Sequence, residues 1–260
     1  MKRRVLAVLL AMSCGFSLAA CGEKTDTEQP AASPAQETAD TLSMATNAEF
    51  PPFEYLEGEE IVGVDVEIAE AIAEIMGREL EIANIDFDAA LTGAATGKYD
   101  IAVAGITANE ERRQNMNFSD DYYTASQAII VMADSEIQVA DDLTGKVIAC
   151  QEGTTGEQYL LDNGYEIQSF KTGAEAISSL TAGKVDAVVI DNEVAKALSE
   201  KQAGETVVLE EALTKESYAI AMKKGNDELT AEINEALQEL KDNGKLAEIF
   251  EKYDLPYDAE

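Results

Sequence analysis

Histidine and tryptophan are absent from the 260 residues, cysteine occurs three times, and Lys plus Arg number 19 against 51 acids. Each shortage excludes something. Without His, and with so little Cys, zinc sites and the Ser-His and Cys-His nucleophile pairs fall away, and only carboxylates remain for acid–base work. A formal net charge of −32 offers no basic footprint for nucleic acid or for anionic lipid. An acidic surface by itself gives solubility. No cofactor or metal is expected. Long apolar runs are also scarce. The one at the N-terminus, "VLAVLLAMSCGFSL", is too short for a confident membrane span.

That run follows a basic "MKRR" and ends in "LAAC" at Cys21. Residues 1–20 read as a signal segment, with an uncleaved membrane anchor as the alternative. Small residues before a cysteine and a polar stretch after it resemble a lipobox, which implies that Cys21 carries lipid and holds the protein to the outer face of a membrane. Residues 21–43, rich in Pro, Ala, Ser, Thr and acids, cannot bury enough apolar surface to order themselves and read as the lipidated Cys and a flexible tether. Cys14 would leave with the signal. Cys150 is then the only thiol left, so no intramolecular disulfide is expected.

From residue 44 short apolar runs alternate with helical patterns, the mark of an α/β protein. "LSMAT" reads as a strand. "VDVEIAEAIAEIMG" reads as a helix with Asp65 as its N-cap and Ile68, Ala71, Ile72 and Ile75 on one face. "ELEIANI", a helical "DAALTGAATG" and a strand over "YDIAVAGI" follow. A second set runs "KVIACQ", "GTTGEQYLLDNG", "EIQSF", "TGAEAISSLTAG", "VDAVVI" and "DNEVAKALSEKQAG". The chain ends in a strand "YAIAM" and two helical segments. "ATGKYDIAVAGI" and "TAGKVDAVVI" share a helix end, Gly-Lys-x-Asp and a buried strand, which predicts two lobes of similar design. The alternative is two ordinary helix-to-strand turns. Ligands of open α/β sheets sit at the carboxyl ends of strands, so a cleft between the lobes is the expected site.

The motifs "ATNAEFPPFEY", "GVDVEIAEAIAE", "DFDAALTGAATGKYDIAVAGITANEERRQNMNFSDDYY", "GTTG", "GKVDAVVIDNEVA" and "NGKLAEIFEKYD" together resemble the extracytoplasmic solute-binding proteins of polar amino acid ABC importers, in that family's order. Val64 stands where the family often has an aromatic, and Asn109 where it usually has a second Thr. The resemblance implies a two-lobed, type II periplasmic-binding-protein-like fold, with lobe 1 in 44–121 plus 220–260 and lobe 2 in 127–215. Hinge strands fall at 122–126 and 216–220. It implies a monomer that closes on an L-amino acid and delivers it to a permease and its ATPase, without being an enzyme.

The resemblance also assigns roles. Arg112 would hold the α-carboxylate, as a planar guanidinium can through two parallel bonds, while Arg113 would face solvent. The alternative for Arg112 is a surface ion pair. Thr107 would add its hydroxyl and N–H to the carboxylate, and the Gly105 carbonyl would accept from the ammonium. Thr154 and Thr155 stand at a helix start where N–H groups favour an anion, although the Thr154–Glu157 spacing also fits a capping box. Asp191 would accept from the ammonium or cap the next helix. Phe50 and Phe87 would sandwich the side chain, with core packing as the alternative for Phe87. Asn47 and Gln151 would touch that side chain, and Glu49 would either add charge there or point to water. The ligand expected is a polar L-amino acid, uncharged or basic. Rival readings are a dehydratase on the same fold, which without His needs a carboxylate such as Glu49, and a sensory module that signals to a receptor.

Overall fold

Apolar runs of three to six residues pair into two sheets, and the amphipathic helices between them cover both faces of each. The computed structural model describes residues 40–257. The signal segment, Cys14, Cys21 and the tether up to residue 39 lie outside the described residues. The first sheet opens with β1 (Thr41–Thr46), followed by a small antiparallel meander of β2 (Glu49–Phe50), β3 (Glu54–Glu57) and β4 (Glu60–Val62). Next come α1 (Val64–Ile75), β5 (Glu79–Asn84), α2 (Phe87–Thr96), β6 (Ile101–Ala102), α3 (Glu110–Asn115) and β7 (Met116–Phe118). Strands β8 (Tyr123–Ala125) and β9 (Gln127–Met132) lead to β10 (Val147–Gln151), α4 (Thr155–Asp162), β11 (Glu166–Phe170), α5 (Gly173–Thr181), β12 (Ala187–Asp191), α6 (Asn192–Glu200) and β13 (Thr206–Val208). The chain returns through β14 (Glu216–Tyr218) and β15 (Ala221–Lys223) to α7 (Asp227–Asp242) and α8 (Lys245–Lys252).

The two five-stranded sheets run β5-β1-β6-β15-β7 and β11-β10-β12-β9-β13. Each has three parallel strands, then one antiparallel strand, then a fifth that runs in the direction of the first three. The Gly-Lys-x-Asp repeat has a structural cause in this plan. Gly97 and Gly183 take positive φ after their helices. The next N–H groups, of Lys98 and Lys184, donate back to Gly93 and Ser179. Asp100 and Asp186 then each accept, at 2.8 Å, a backbone N–H of the neighbouring parallel strand, from Ser43 and Val147 respectively. Strands β8 and β14 pair antiparallel, Glu216 opposite Ala125 and Tyr218 opposite Tyr123, outside both large sheets. They lie in the ranges expected for the hinge strands.

Helices α1, α7 and α8 bury Ile68, Ile72, Ile233, Leu237 and Phe250 in one cluster, while α2 sets Ala90 and Ala94 among Ala45, Ala102 and Ala221. In the second sheet Ile130, Val188 and Ile190 share a cluster with residues of α5 and α6. Ile129, Ile148 and Val189 share one with Leu160 of α4 and the buried Cys150. Each strand thus presents alternate residues to opposite faces.

Several expectations are corrected. Order begins before residue 44: Thr41–Ser43 belong to β1, paired with Glu79–Glu81, and Leu42 is fully buried. The strand expected over "YDIAVAGI" is only Ile101–Ala102, because the backbone turns left-handed at Gly105. "YAIAM" is not one strand, since Tyr218 pairs with β8 and Ala221 with β6 and β7. Asp65 does not cap α1. The helix starts at Val64, and the carbonyls of Pro52 and Phe53 accept the N–H groups of Val64 and Asp65, which leaves the carboxylate for other work.

An aromatic stack ties the C-terminal segment to the paired strands: Tyr257 lies on Phe250 (ring centroids 5.0 Å apart) and Phe250 on Tyr123 (5.3 Å). Phe250 is fully buried. Phe250→Ala is expected to cost about 3–5 kcal/mol, read as a lowered urea midpoint with an unchanged slope.

Candidate ligand-binding site

The left-handed turn at Gly105 starts the site. Its φ is +53°, and a Cβ there would meet Phe50 Cε1 at 2.8 Å, so only glycine lets the chain pass this close to the ring. The Gly105 N–H donates to Asp65 Oδ2 at 2.7 Å, and Tyr122 Oη donates to Asp65 Oδ1 at 2.8 Å. Beyond the turn, Thr107 bridges to Tyr218 of β14. Asn109 then caps α3 by accepting the Arg112 N–H at 2.8 Å. The Asn in place of a second Thr therefore supports Arg112 directly.

Arg112 is half-buried and lies over the Phe87 ring, 5.5 Å from its centroid. Its guanidinium donates to the Thr107 carbonyl (2.9 Å) and, across to the second sheet's loop, to the Gly153 carbonyl (3.0 Å). Among the described residues it makes no salt bridge, whereas exposed Arg113 sits 3.8 Å from Asp121. Burial lowers the Arg112 pKa from its ordinary value, against the raising charges of Asp191 and Glu216.

From the second lobe, Thr154 caps α4, its Oγ1 accepting the Glu157 N–H at 3.3 Å, while Glu157 itself reaches the Gly153 N–H. Thr155 is the first helical residue, where backbone N–H groups have no partner within the helix. Asp191 stands at the N-cap of α6 without capping it. Its carboxylate instead accepts from Tyr218 Oη and, at 2.8 Å, from Gln127 Nε2. Gln151 Nε2 donates to Asn47 Oδ1 at 3.1 Å, linking the two lobes, and also to the Lys171 carbonyl.

Asn47, Phe50, Phe87, Gly105, Thr107, Arg112, Gln151, Thr154, Thr155 and Asp191 all line one cavity, together with Ala104 and Glu54. The free volume between its walls is about 10 Å³, roughly that of one water molecule, so the walls stand almost closed on one another. Glu49 is exposed and is not among the lining residues. Sequence reasoning missed Glu54. It is 1% exposed, no N–H or hydroxyl donates to either of its oxygens, and its carboxyl shares a hydrogen bond with that of Asp65. Burial first, and then the charge of Asp65, push its pKa well above the ordinary range. Asp65 was missed in this role too, although its place at i, i+3, i+7 with Ile68 and Ile72 sets it on the buried face of α1.

A polar cavity walled by two similar α/β lobes, with paired strands crossing between them, defines a ligand-binding protein of the two-lobed, type II periplasmic-binding class. The sequence profile of the bacterial extracellular solute-binding proteins, family 3, matches residues 42–256, and the chain belongs to that family. It is similar to the arginine-binding extracellular protein ArtP of Bacillus subtilis (strain 168), at 32% identity over 96% of this chain and 98% of ArtP. Among solved structures it resembles the arginine-, lysine-, histidine-binding protein ArtJ of Geobacillus stearothermophilus, with TM-score 0.79, 35% identity, and 82% of this chain and 95% of that one covered. An ancestral arginine-binding protein bound to arginine gives TM-score 0.79 and 38% identity over 83% and 99%. The family and these relatives are named as solute- or amino-acid-binding proteins, not as enzymes, and a further relative at 27% identity over 97% of this chain and 97% of its own length is the ABC transporter glutamine-binding protein GlnH of Bacillus subtilis (strain 168).

Burial, and then Glu216, push Asp191 from 3.8 up to about 7 against its hydrogen bonds. Burial alone pushes Asp65 up to about 6, against the Gly105 N–H and Tyr122. A carboxyl whose folded pKa exceeds its unfolded value stabilises the fold when protonated. The ligand-free protein should therefore lose stability as pH rises from about 4 through about 7. Thermal melts across that range should show a shallower fall for Asp191→Asn than for the unaltered chain.

Proposed function

We propose that this protein is the substrate-binding component of an ABC importer, held to the outer face of the cell membrane by lipid on Cys21. It captures a basic L-amino acid, arginine before others, by closing its lobes, and hands it to a permease driven by an ATPase. The observation that carries the ligand class is the carboxyl of Glu54 in the cavity wall, buried beside Asp65 and with no N–H or hydroxyl donating to it.

Charge balance gives the argument. The lining holds one cation, Arg112, and two acids, Asp191 and Glu54. A zwitterion's carboxylate matches Arg112 and its ammonium matches Asp191, which leaves Glu54 for a cation on the ligand side chain. Gln151 Oε1 is a further buried acceptor without a partner, and the amide's orientation follows from its donation to two oxygens. Three acceptors without donors suit a guanidinium, which carries five N–H groups and accepts none. Phe50 and Phe87 supply the apolar walls for the methylene stem. Thr107 and Thr155 N–H groups and the Gly105 carbonyl complete the zwitterion contacts. The names of ArtP and ArtJ support the same class. Charge-assisted hydrogen bonds contribute roughly 1.5–3 kcal/mol each, so several are needed against the cost of association, and exclusion of water by closure strengthens them all.

Thermal shifts of the purified protein against each of the twenty amino acids test the reading, after unfolding and refolding to strip any retained ligand. Ligand at a thousand times its dissociation constant stabilises by about 4 kcal/mol. Arginine and lysine should shift the melt, and Arg112→Ala and Asp191→Ala should each abolish the shift. Glu54→Gln should weaken arginine by about tenfold or more, the value of one charged hydrogen bond, and leave neutral ligands less affected. No shift with any amino acid would sink the assignment.

A further inference from the structure

Thr107 and Thr155 come from different lobes, yet their hydroxyls meet on one carboxylate. Thr107 Oγ1 donates to Glu216 Oε2 at 2.5 Å, and Thr155 Oγ1 donates to the same oxygen at 2.7 Å. Thr214 Oγ1 donates to Oε1, also at 2.7 Å. Glu216 opens β14, is 8% exposed, and among the described residues makes no salt bridge. A buried acid without a basic partner is costly unless hydroxyl or amide donors compensate it. Here three hydroxyls do so.

The proton count has a consequence for the ligand. A hydroxyl carries one hydrogen, and an ionised carboxylate can only accept. Thr107 and Thr155 have therefore committed their protons to Glu216, and their lone pairs face elsewhere. Thr155 Oγ1 accepts from Gln127 Nε2 at 3.3 Å, the same amide that donates to Asp191. Thr107 lines the cavity with a lone pair to offer. The sequence reading had this hydroxyl donating to the ligand's carboxylate. With its proton on Glu216, it is an acceptor, and its N–H alone is left for the carboxylate.

We propose that Glu216 is a positioning residue of the binding site: it turns the Thr107 and Thr155 hydroxyls into acceptors, so that the cavity offers lone pairs to the ligand's ammonium, and it joins both lobes' threonines to the crossing strand. This rests on the amino acid reading above. Glu216 does not line the cavity; it acts through the threonines.

Calorimetric titration of the full chain with L-arginine tests the assignment, with a thermal melt of each ligand-free variant as the folding check. Glu216→Gln sets its amide NH2 either at Oε2, where it faces and reverses both the Thr107 and Thr155 hydroxyls, or at Oε1, where it reverses Thr214 alone and leaves the shared oxygen a weaker, uncharged acceptor. Glu216→Gln and Thr107→Val should each weaken binding about tenfold, the worth of one charged hydrogen bond. The double variant should bind no worse than the weaker single one within about threefold, since residues acting through one network are not additive. Thr107→Ser should bind like the unaltered chain. Glu216→Asp keeps the charge but draws the carboxylate back, and it serves should Glu216→Gln not fold. Weakening like that of Thr107→Val supports positioning, and unaltered affinity overturns it. Losses that multiply in the double variant would make Glu216 a plain electrostatic partner and also overturn the proposal. If another L-amino acid binds in place of arginine, the same comparisons are read with that ligand. If the unaltered chain binds no amino acid, both the function and this assignment fall.

Discussion

The site depends on one buried carboxylate that no ligand needs to touch. Asp65 accepts from the Gly105 N–H and from Tyr122 Oη, and so ties α1 to the turn after β6 and to the residue just before the first crossing strand. A charged group taken from water is held only if its lone pairs find donors, and here each oxygen has one. That bond fixes the left-handed turn at Gly105. The turn brings Thr107 against Tyr218, and two residues later Asn109 starts the helix that carries Arg112. A shift at Asp65 would therefore move Arg112 without any contact between them.

The second lobe repeats the first in strand order and in its Gly-Lys-x-Asp turn, yet contributes different chemistry to the cavity. Lobe 1 brings the cation and the aromatic rings. Lobe 2 brings a helix start and Asp191. The same parallel β-α-β unit makes both, because the carboxyl ends of its strands deliver whatever follows them to the same place. Beside the cavity the two halves meet in pairs of hydrogen-bonding groups, Gln151 with Asn47 and Arg112 with the Gly153 carbonyl, while one buried apolar cluster holds residues of both sheets. Polar contacts of this kind exchange for water at small net cost, which would suit the closing and opening proposed for the lobes.

Much of this was legible in the sequence, for definite reasons. Periodicity gave the helices, and alternating apolar runs gave most strands, since those patterns follow from burial of one face. The ten residues named for the site converge on a single cavity, because each follows a strand or opens a helix in a recognisable motif. What was not legible was which of 51 acids are buried. Glu54, Asp65 and Glu216 look in sequence like any solvated carboxylate. Their burial depends on contacts across tens of residues, such as Asp65 with Tyr122 and Glu216 with Thr107. Asp65 on the apolar face of α1 was the one available signal. "LSMAT" marked β1 from Leu42, but composition alone ran the tether on to residue 43, whereas Thr41 already pairs and Leu42 packs inward beside Met44.

These buried acids also explain why the cavity is poised for a cation rather than merely open to one. Asp191, Glu54 and Asp65 each sit above the ordinary carboxylate range because burial disfavours their charge. Closing the lobes without a ligand thus forces the site either to hold protons or to hold uncompensated charge. In the function proposed above, a ligand bearing an ammonium and a cationic side chain would remove that conflict, and its carboxylate would meet Arg112, the one cation of the wall. On that proposal, the desolvation that raises these carboxyls in the empty cavity also disfavours closure without a ligand, so closure would report that the cargo is aboard.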